Sequence, residues 1–446
     1  MARLLASMLL GTTMTAVGAV SFRAEIAPLL RSQCQACHGA KEAKGDYRVD
    51  SYAELMKALE DEQPRVVAGH PNKSTLLALL TSDDAEERMP AKSEPLKENQ
   101  IALVRQWIAE GAKFDGGNPK AELIRIIPAP RHREAPKTYP RPLPVTALAF
   151  SPQGDELAVS GLREVTVWNV KEGRLKRRIG NMAQRTFAVA WSPDGQWLAA
   201  GGGVAGELGE ARVFDAVTGT LRAVAHRAGD VVLDARYDAN GTLLAVGDAD
   251  HRVAVYDTAD FSSRLRVDNH ADWVMALAWS PDGRYLASAS RDRTAKLFDL
   301  KTGDVISTYG GHGVPVLGVA WKADGKQVFS SGRDRKIHVW EAGLADIDGK
   351  RFGAKKVGEI SGFGERVFRI LIHGNTLLSP SADGRARLHE AASRKLVREL
   401  PNHGDWVLCV AQNSSSGRLA TGSHDGFVRV WDAKSGRMLK QFQASP

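Results

Sequence analysis

Two periodicities divide this chain. Up to about residue 115 the apolar positions recur at helical spacing, and from 145 onward they alternate in short runs that repeat. Phe22, Ile26 and Leu30 stand at i, i+4 and i+8, one stripe of a helix that begins after Ser21. Ser51-Tyr-Ala-Glu54 has the form of a capping box and predicts a second helix with Leu55 and Leu59 inward. Pro71 opens a third helix through Leu76, Leu77 and Leu80. Pro95 opens a fourth, with Ile101, Val104 and Ile108 on one face and Gly111 closing it. Between 116 and 144, seven of the 19 prolines fall among basic residues, which predicts an extended, semi-rigid linker. Leu123 to Ile127 within it reads as a strand added to a sheet edge.

From 145 the chain repeats. One strand ends in an aromatic followed by Ser-Pro or its relic, at Phe150, Trp191, Trp279 and Trp321. Turns such as Pro193-Asp-Gly195 and Pro281-Asp-Gly283 follow. A second strand reads Leu286-Ala-Ser-Ala-Ser290 or Leu419-Ala-Thr-Gly-Ser423, and a third ends in an aromatic-acid pair or its relic at 168, 214, 256, 298, 340, 389 and 431. Those endpoints are spaced by 46, 42, 42, 42, 49 and 42 residues, the period of a propeller blade. Seven units predict seven four-stranded antiparallel blades around a channel. The last unit has its own outer strand, Arg437 to Phe442, so closure of the ring needs no strand from elsewhere. Breaks in the period at Gly201 to Gly209 and Gly343 to Lys355 are expected as loops on the rims.

The composition, 43% apolar and 25% charged, is that of a soluble globular chain. The net charge of +8 is uneven, because residues 20–115 hold 13 Lys/Arg against 16 Asp/Glu. The basic residues are scattered rather than clustered, which excludes a nucleic-acid arm. Arg3, the apolar or small run Leu4 to Val17, and Val17-Gly18-Ala19 make residues 1–19 a secretory signal, too short for a membrane anchor. No stable membrane insertion is expected after its cleavage. The three cysteines, Cys34, Cys37 and Cys409, provide no disulfide framework.

Cys34-Gln-Ala-Cys37-His38 is where chemistry concentrates. A tight Cys-x-x-Cys turn at a helix end lets two sulfurs reach the two vinyl groups of one haem, and the next histidine lies under the iron. A redox dithiol would need a surrounding βαβ pattern, and a structural zinc would need a second ligand pair; neither is present in the sequence. The reading is one covalent haem c, with Cys34, Cys37 and His38 binding it. Met89, fixed beside Pro90 in a loop, is the candidate sixth ligand. His70 is its competitor, and Met56 is assigned to helix packing.

Two resemblances cover nearly all of the chain after residue 19. Residues 20–115 resemble the planctomycete-type cytochrome c domain through Cys34-Gln-Ala-Cys-His-Gly39, Gly69-His-Pro-Asn-Lys-Ser74, Arg88-Met-Pro90 and Trp107-Ile-Ala-Glu-Gly-Ala112. That resemblance implies a small all-α domain with His38 and Met89 as axial ligands. Ala91 stands where the family pattern has a second proline. Residues 145–446 resemble WD-repeat propellers. In such repeats a loop histidine, a strand hydroxyl, a turn aspartate and a tryptophan are linked. His312, Ser330, Asp334 and Trp340 match in blade five, and His403, Thr421, Asp425 and Trp431 in blade seven. In blade four His270, Ser288 and Asp292 match, with Phe298 in place of the tryptophan. The resemblance makes these sets structural rather than catalytic or metal-binding. Trp273 and Trp406, each after an aspartate in the loop before a first strand, are expected to pack near the channel mouth; an exposed one there could anchor a partner. Cys409 reads as a small buried residue.

The expected organisation is thus a signal peptide (1–19), a c-type cytochrome domain (20–115), a Pro-rich linker (116–144) and a seven-bladed propeller (145–446). The expected function is single-electron carriage by an exported, periplasmic chain, with a redox partner protein docking on the propeller. Two other readings belong to different classes. One is a haem oxidoreductase with a second cofactor in the propeller, as in cytochrome cd-type nitrite reductases, whose propeller has eight blades. The other is an interaction scaffold in which haem serves structure.

Overall fold

The computed structural model describes residues 19–39, 43–58, 64–91, 93–343 and 354–446. Residues 1–18, Leu59 and most of the Gly343–Lys355 insertion lie outside these residues. The chain divides into two compact units, the first ending at Pro130 and the second running from Arg131 to Pro446.

The first unit is small and helical. Ser21 caps the opening helix by accepting from the Ala24 N–H. A π-turn, Phe22–Ile26, leads directly into α1, Ala27–Gln33. α2 is a single turn, Tyr52–Leu55, held by the Ser51 hydroxyl on the Glu54 N–H at 3.2 Å. A 3-10 turn, Pro71–Lys73, precedes α3, Thr75–Leu80. α4 is Glu98–Ala109 and starts three residues after Pro95, because the Gln100 side chain accepts from the Lys97 N–H and places the helix start there. Phe22, Ile26, Leu30, Leu55, Leu77, Leu80, Val104 and Ile108 share one buried core with Trp107. Its centre is aromatic: Phe22 meets Tyr52 edge-on at 5.1 Å, and Tyr52 meets Phe114 at 4.6 Å.

The segment expected to be extended from 116 behaves otherwise in its first half. Leu123–Ile126 forms a short helix, α5, and not a strand. Leu123 and Ile126 are buried in the helical core, so packing sets the local conformation here. Residues 131–139 belong to the second unit. His132 Nε2 lies 2.7 Å from Glu210, and Arg178 holds the carbonyls of Pro136 and Lys137.

The second unit is a ring of seven four-stranded antiparallel sheets, each strand pairing with the next in sequence. Blade one has strands Leu148–Phe150, Glu156–Ser160, Val165–Asn169 and Arg174–Ile179. Blade seven has Val407–Asn413, Arg418–Ser423, Phe427–Asp432 and Met438–Gln443, so its outer strand is its own, as the sequence indicates. At ring closure the Val145 N–H bonds the Ser423 carbonyl at 3.1 Å, Val145, Leu148 and Phe150 share a core with Cys409 and Val428, and Trp168 stacks on Phe442 at 4.8 Å. Cys409 is buried and donates to the Val145 carbonyl.

The Gly201–Gly209 break is mostly strand, not loop. The ladder of blade two continues through Gly202↔Glu210 and Gly203↔Gly209 to Val204↔Leu208. A Cβ on Gly202 would lie 1.9 Å from the Arg185 carbonyl oxygen, so glycine is what permits the close pairing. The turns joining second to third strands hold left-handed residues: Arg163 (φ 62°), His251 (φ 71°), Arg293 (φ 75°) and Arg335 (φ 62°). Each such non-glycine residue costs about 1 kcal/mol or more.

Candidate functional site

Cys34 terminates α1. Its N–H bonds the Leu30 carbonyl at 2.9 Å, and its own carbonyl then accepts from Cys37 (3.2 Å) and His38 (3.0 Å). Those two bonds fold Cys34, Cys37 and His38 into one turn. Gly39 permits it, because a Cβ there would lie 2.7 Å from the Gln35 carbonyl oxygen. Both cysteines are free thiols, Cys37 exposed and Cys34 half-buried against the helical core. Burial pushes the Cys34 thiol up to about 11, with the neighbouring Cys37 adding to the shift.

His38 is held from behind. Its Nδ1 lies 3.2 Å from the Tyr47 carbonyl oxygen, which can only accept, so Nδ1 carries the proton and Nε2 is left with its lone pair. Tyr47 is in turn buried and donates to the Leu55 carbonyl at 2.9 Å. Burial also pushes the Tyr47 phenol well up, so it stays neutral. Sequence reasoning missed Tyr47, since a backbone acceptor has no sequence signal.

Met89 is half-buried and packs against the same core as Cys34, after α3; its N–H bonds the Leu79 carbonyl at 2.9 Å. Met56 also leans on that core, as the last residue of the α2 turn. His70 is exposed, immediately before the 3-10 turn. The donor set that the turn and its surroundings offer is two free thiols, one oriented imidazole nitrogen and a thioether on the shared core. That chemistry fits a covalently attached iron porphyrin.

In the propeller, the polar sets form as sequence matching predicts in blades four and five. His312 Nε2 lies 2.8 Å from Ser330 Oγ and its Nδ1 2.7 Å from Asp334, while Trp340 donates to Ser330 at 3.1 Å. His270 bonds Ser288 at 2.6 Å and Asp292 at 2.7 Å. Blade seven departs. His403 and Trp431 both reach Thr421, but Asp425 pairs with Arg429 at 2.8 Å instead of with the histidine. His403 Nδ1 then has no hydrogen-bond partner among the described residues, and burial lowers this imidazole to about 4. Blades two and three share a set the sequence did not disclose: His226 of blade two joins Tyr256 at 2.7 Å and Asp248 at 2.8 Å in blade three. This histidine sits in an outer strand, Leu221–Ala228, rather than in the incoming loop.

His312, Asp334 and His338 bring three ligand-type atoms within 4.8 Å of one another. The two imidazoles are stacked at 3.9 Å and 10°. A metal must lie near the plane of each ring it binds, and parallel stacked rings share no such point. The cluster is a hydrogen-bond network in which both histidines hold the Asp334 carboxylate well below the usual carboxylate range against its burial. The channel between the inner strands is crossed by Arg369, which donates to the carbonyls of Leu233 (2.6 Å) and Met275 (3.1 Å). The cavity beside it, lined by Arg236, Cys409 and Val410, is about 20 Å³, room for about one water. No helix among the described residues is long and apolar enough to cross a membrane.

Residues 34–93 match the family model for planctomycete cytochrome C, a span containing Cys34, Cys37, His38 and Met89. Residues 181–215, 218–257, 262–299, 303–341 and 394–432 match the WD domain, G-beta repeat. Each of the three middle matches runs from the outer strand of one blade to the third strand of the next. Among curated proteins, similarity is confined to short stretches. THO complex subunit 6 of Arabidopsis thaliana is 31% identical over 65 residues, 15% of this chain and 18% of that protein. Centriole proteome protein 16 of Chlamydomonas reinhardtii is 32% identical over 148 residues, 31% of this chain and 7% of that protein. A guanine nucleotide-binding protein subunit beta-like protein of Encephalitozoon cuniculi is 34% identical over 67 residues, 15% of this chain and 20% of that protein. The aligned stretch is thus no more than 20% of any of these three relatives.

Proposed function

We propose that this chain, which joins a planctomycete cytochrome C segment to a seven-bladed WD-repeat propeller, is an exported carrier of single electrons whose propeller docks a partner protein. One observation carries the proposal: Cys34, Cys37 and His38 occupy a single turn, with both thiols free and the imidazole held by the Tyr47 carbonyl so that Nε2 is available.

In this reading the first unit is an all-α cytochrome domain and residues 1–19 are its export signal. Cys34 and Cys37 would hold one haem c through their sulfurs, and His38 and Met89 would supply a nitrogen and a sulfur ligand to its iron. A haem ligated in this way supplies one reversible electron per chain. The protein's part is orientation and exclusion. The Tyr47 carbonyl fixes the His38 tautomer and ring direction. Gly39 allows the backbone to pass close to Gln35. The Phe22, Tyr52, Trp107 and Phe114 cluster supports α1 and α4 from behind, and Trp107 and Tyr52 bond the carbonyls of Lys113 and Ala112. That rigidity keeps the ligands in place in both oxidation states.

The propeller offers structure rather than reactive groups. His270 and His312 are engaged in loop-to-strand hydrogen bonds, which supports docking over catalysis. A potentiometric titration of the whole protein, expressed in a host competent in cytochrome maturation, tests the proposal. The expected result is a single one-electron transition with a six-coordinate, low-spin spectrum in both states. A second redox centre, or a five-coordinate iron that turns over a small substrate, overturns it.

A further inference from the structure

The Arg-Asp-Arg turns of blades four and five carry a charge pattern that the sequence conceals. In each turn the aspartate faces inward. Asp292 accepts from the Thr294 N–H and hydroxyl and bonds His270, and Asp334 is shared by His312 and His338. The arginines face outward. Arg293, Arg333 and Arg335 are exposed, and their guanidinium groups have no partner among the described residues. Charges that alternate along the chain are thus sorted by the fold, and three free cations stand on neighbouring turns of one rim.

Two of these arginines are held against backbone preference. Arg293 (φ 75°) and Arg335 (φ 62°) occupy the left-handed position that Gly384 (φ 79°) and Gly426 (φ 82°) fill in blades six and seven. Beside them lies an apolar margin. The Arg291 N–H bonds the Trp273 carbonyl at 3.0 Å, and its guanidinium stands 4.0 Å over the Trp273 ring. Trp273, Phe187 and Met275 are half-buried against Val231 and Leu233.

We infer that this rim of blades four and five docks an acidic protein segment that also bears an apolar side chain. Arg293, Arg333 and Arg335 take its carboxylates, and Trp273 takes the apolar group. Charge complementarity selects the occupant: three uncompensated guanidinium groups beside an indole favour glutamate or aspartate next to a large apolar residue. The inference rests on the docking reading above and names the chemistry of the partner.

The test is fluorescence anisotropy of the full chain with a labelled peptide of glutamates flanking one leucine, against the same peptide with glutamines. At low ionic strength the glutamate peptide is expected to bind about tenfold more tightly, with the preference shrinking as salt rises. The double variant Arg293→Gly/Arg335→Gly loses that preference while its thermal midpoint stays level or rises, because glycine relieves the backbone. Lys171→Glu/Lys301→Glu, on the opposite rim, keeps the preference. Equal binding of the two peptides, or equal loss in both double variants, overturns the inference. Haem content is read on the same samples. Lost docking with haem present removes only this inference, whereas intact docking without haem removes the electron-carrier reading.

Discussion

Replacing Ser330 by alanine removes one hydroxyl that two buried groups share. In the folded blade the Ser330 hydroxyl bonds His312 Nε2 at 2.8 Å and accepts from the Trp340 N–H at 3.1 Å. Asp334, held ionised, accepts from His312 Nδ1–H at 2.7 Å, so the hydroxyl must donate to Nε2. Alanine leaves a buried indole N–H and a buried imidazole nitrogen unpaired. Each costs about 1–2 kcal/mol, so the expected loss is about 2–4 kcal/mol. Blade four supplies the comparison. Ser288 serves His270 in the same way, but Phe298 has no N–H, so Ser288→Ala orphans one group and costs about 1–2 kcal/mol. Equilibrium urea unfolding of the full chain measures both. In a Trp340→Phe background the cost of Ser330→Ala should fall by about 1–2 kcal/mol, the share of the indole. Equal losses at Ser330 and Ser288, or no coupling between Ser330 and Trp340, would refute the account of these polar sets.

Three further outcomes are expected. In protein expressed without haem attachment, iodoacetamide at pH 8 should label Cys37 well ahead of Cys34, because a thiol raised to about 11 is only about one part in a thousand thiolate at that pH; equal rates in peptide mapping contradict this. His389 and His403 are lowered to about 4 by burial, so both are neutral in the fold while the unfolded chain takes up protons below about pH 6.5. Their contribution to stability is complete above pH 6.5 and lost progressively toward pH 4, about 1–2 kcal/mol each after allowance for partial exposure; His389→Phe should flatten that decline, and an unchanged pH profile would contradict it. Met89→Ala should open the reduced iron to carbon monoxide while leaving the haem covalently attached, and a spectrum indifferent to carbon monoxide would point to a different sixth ligand.

Much of this molecule is legible in its sequence because its signals are local. The aromatic endpoints, the Pro-Asp-Gly turns and the 42-residue period depend on contacts within one blade or with the next, so they recur visibly. The Cys34–His38 turn is equally local, its bonds spanning three or four residues. What was not legible depends on distant partners. Leu123 to Ile126 has strand composition but packs in the helical core, and tertiary packing sets its form. Gly201 to Gly209 resembles a loop until Arg185 is seen to pair with Gly203 and Glu210 with Gly202. Asp425 matches the repeat pattern, yet Arg429, four residues on, takes its carboxylate away from His403. The Tyr47 carbonyl that orients His38 is a backbone atom, and no residue type announces it.

The most direct test is the denatured protein itself, purified from a host that matures c-type cytochromes. The account predicts one haem per chain that remains attached through acid-acetone extraction, with the mass increase mapping to the peptide containing Cys34 and Cys37. A chain of unmodified mass, or haem that extracts freely, would contradict it.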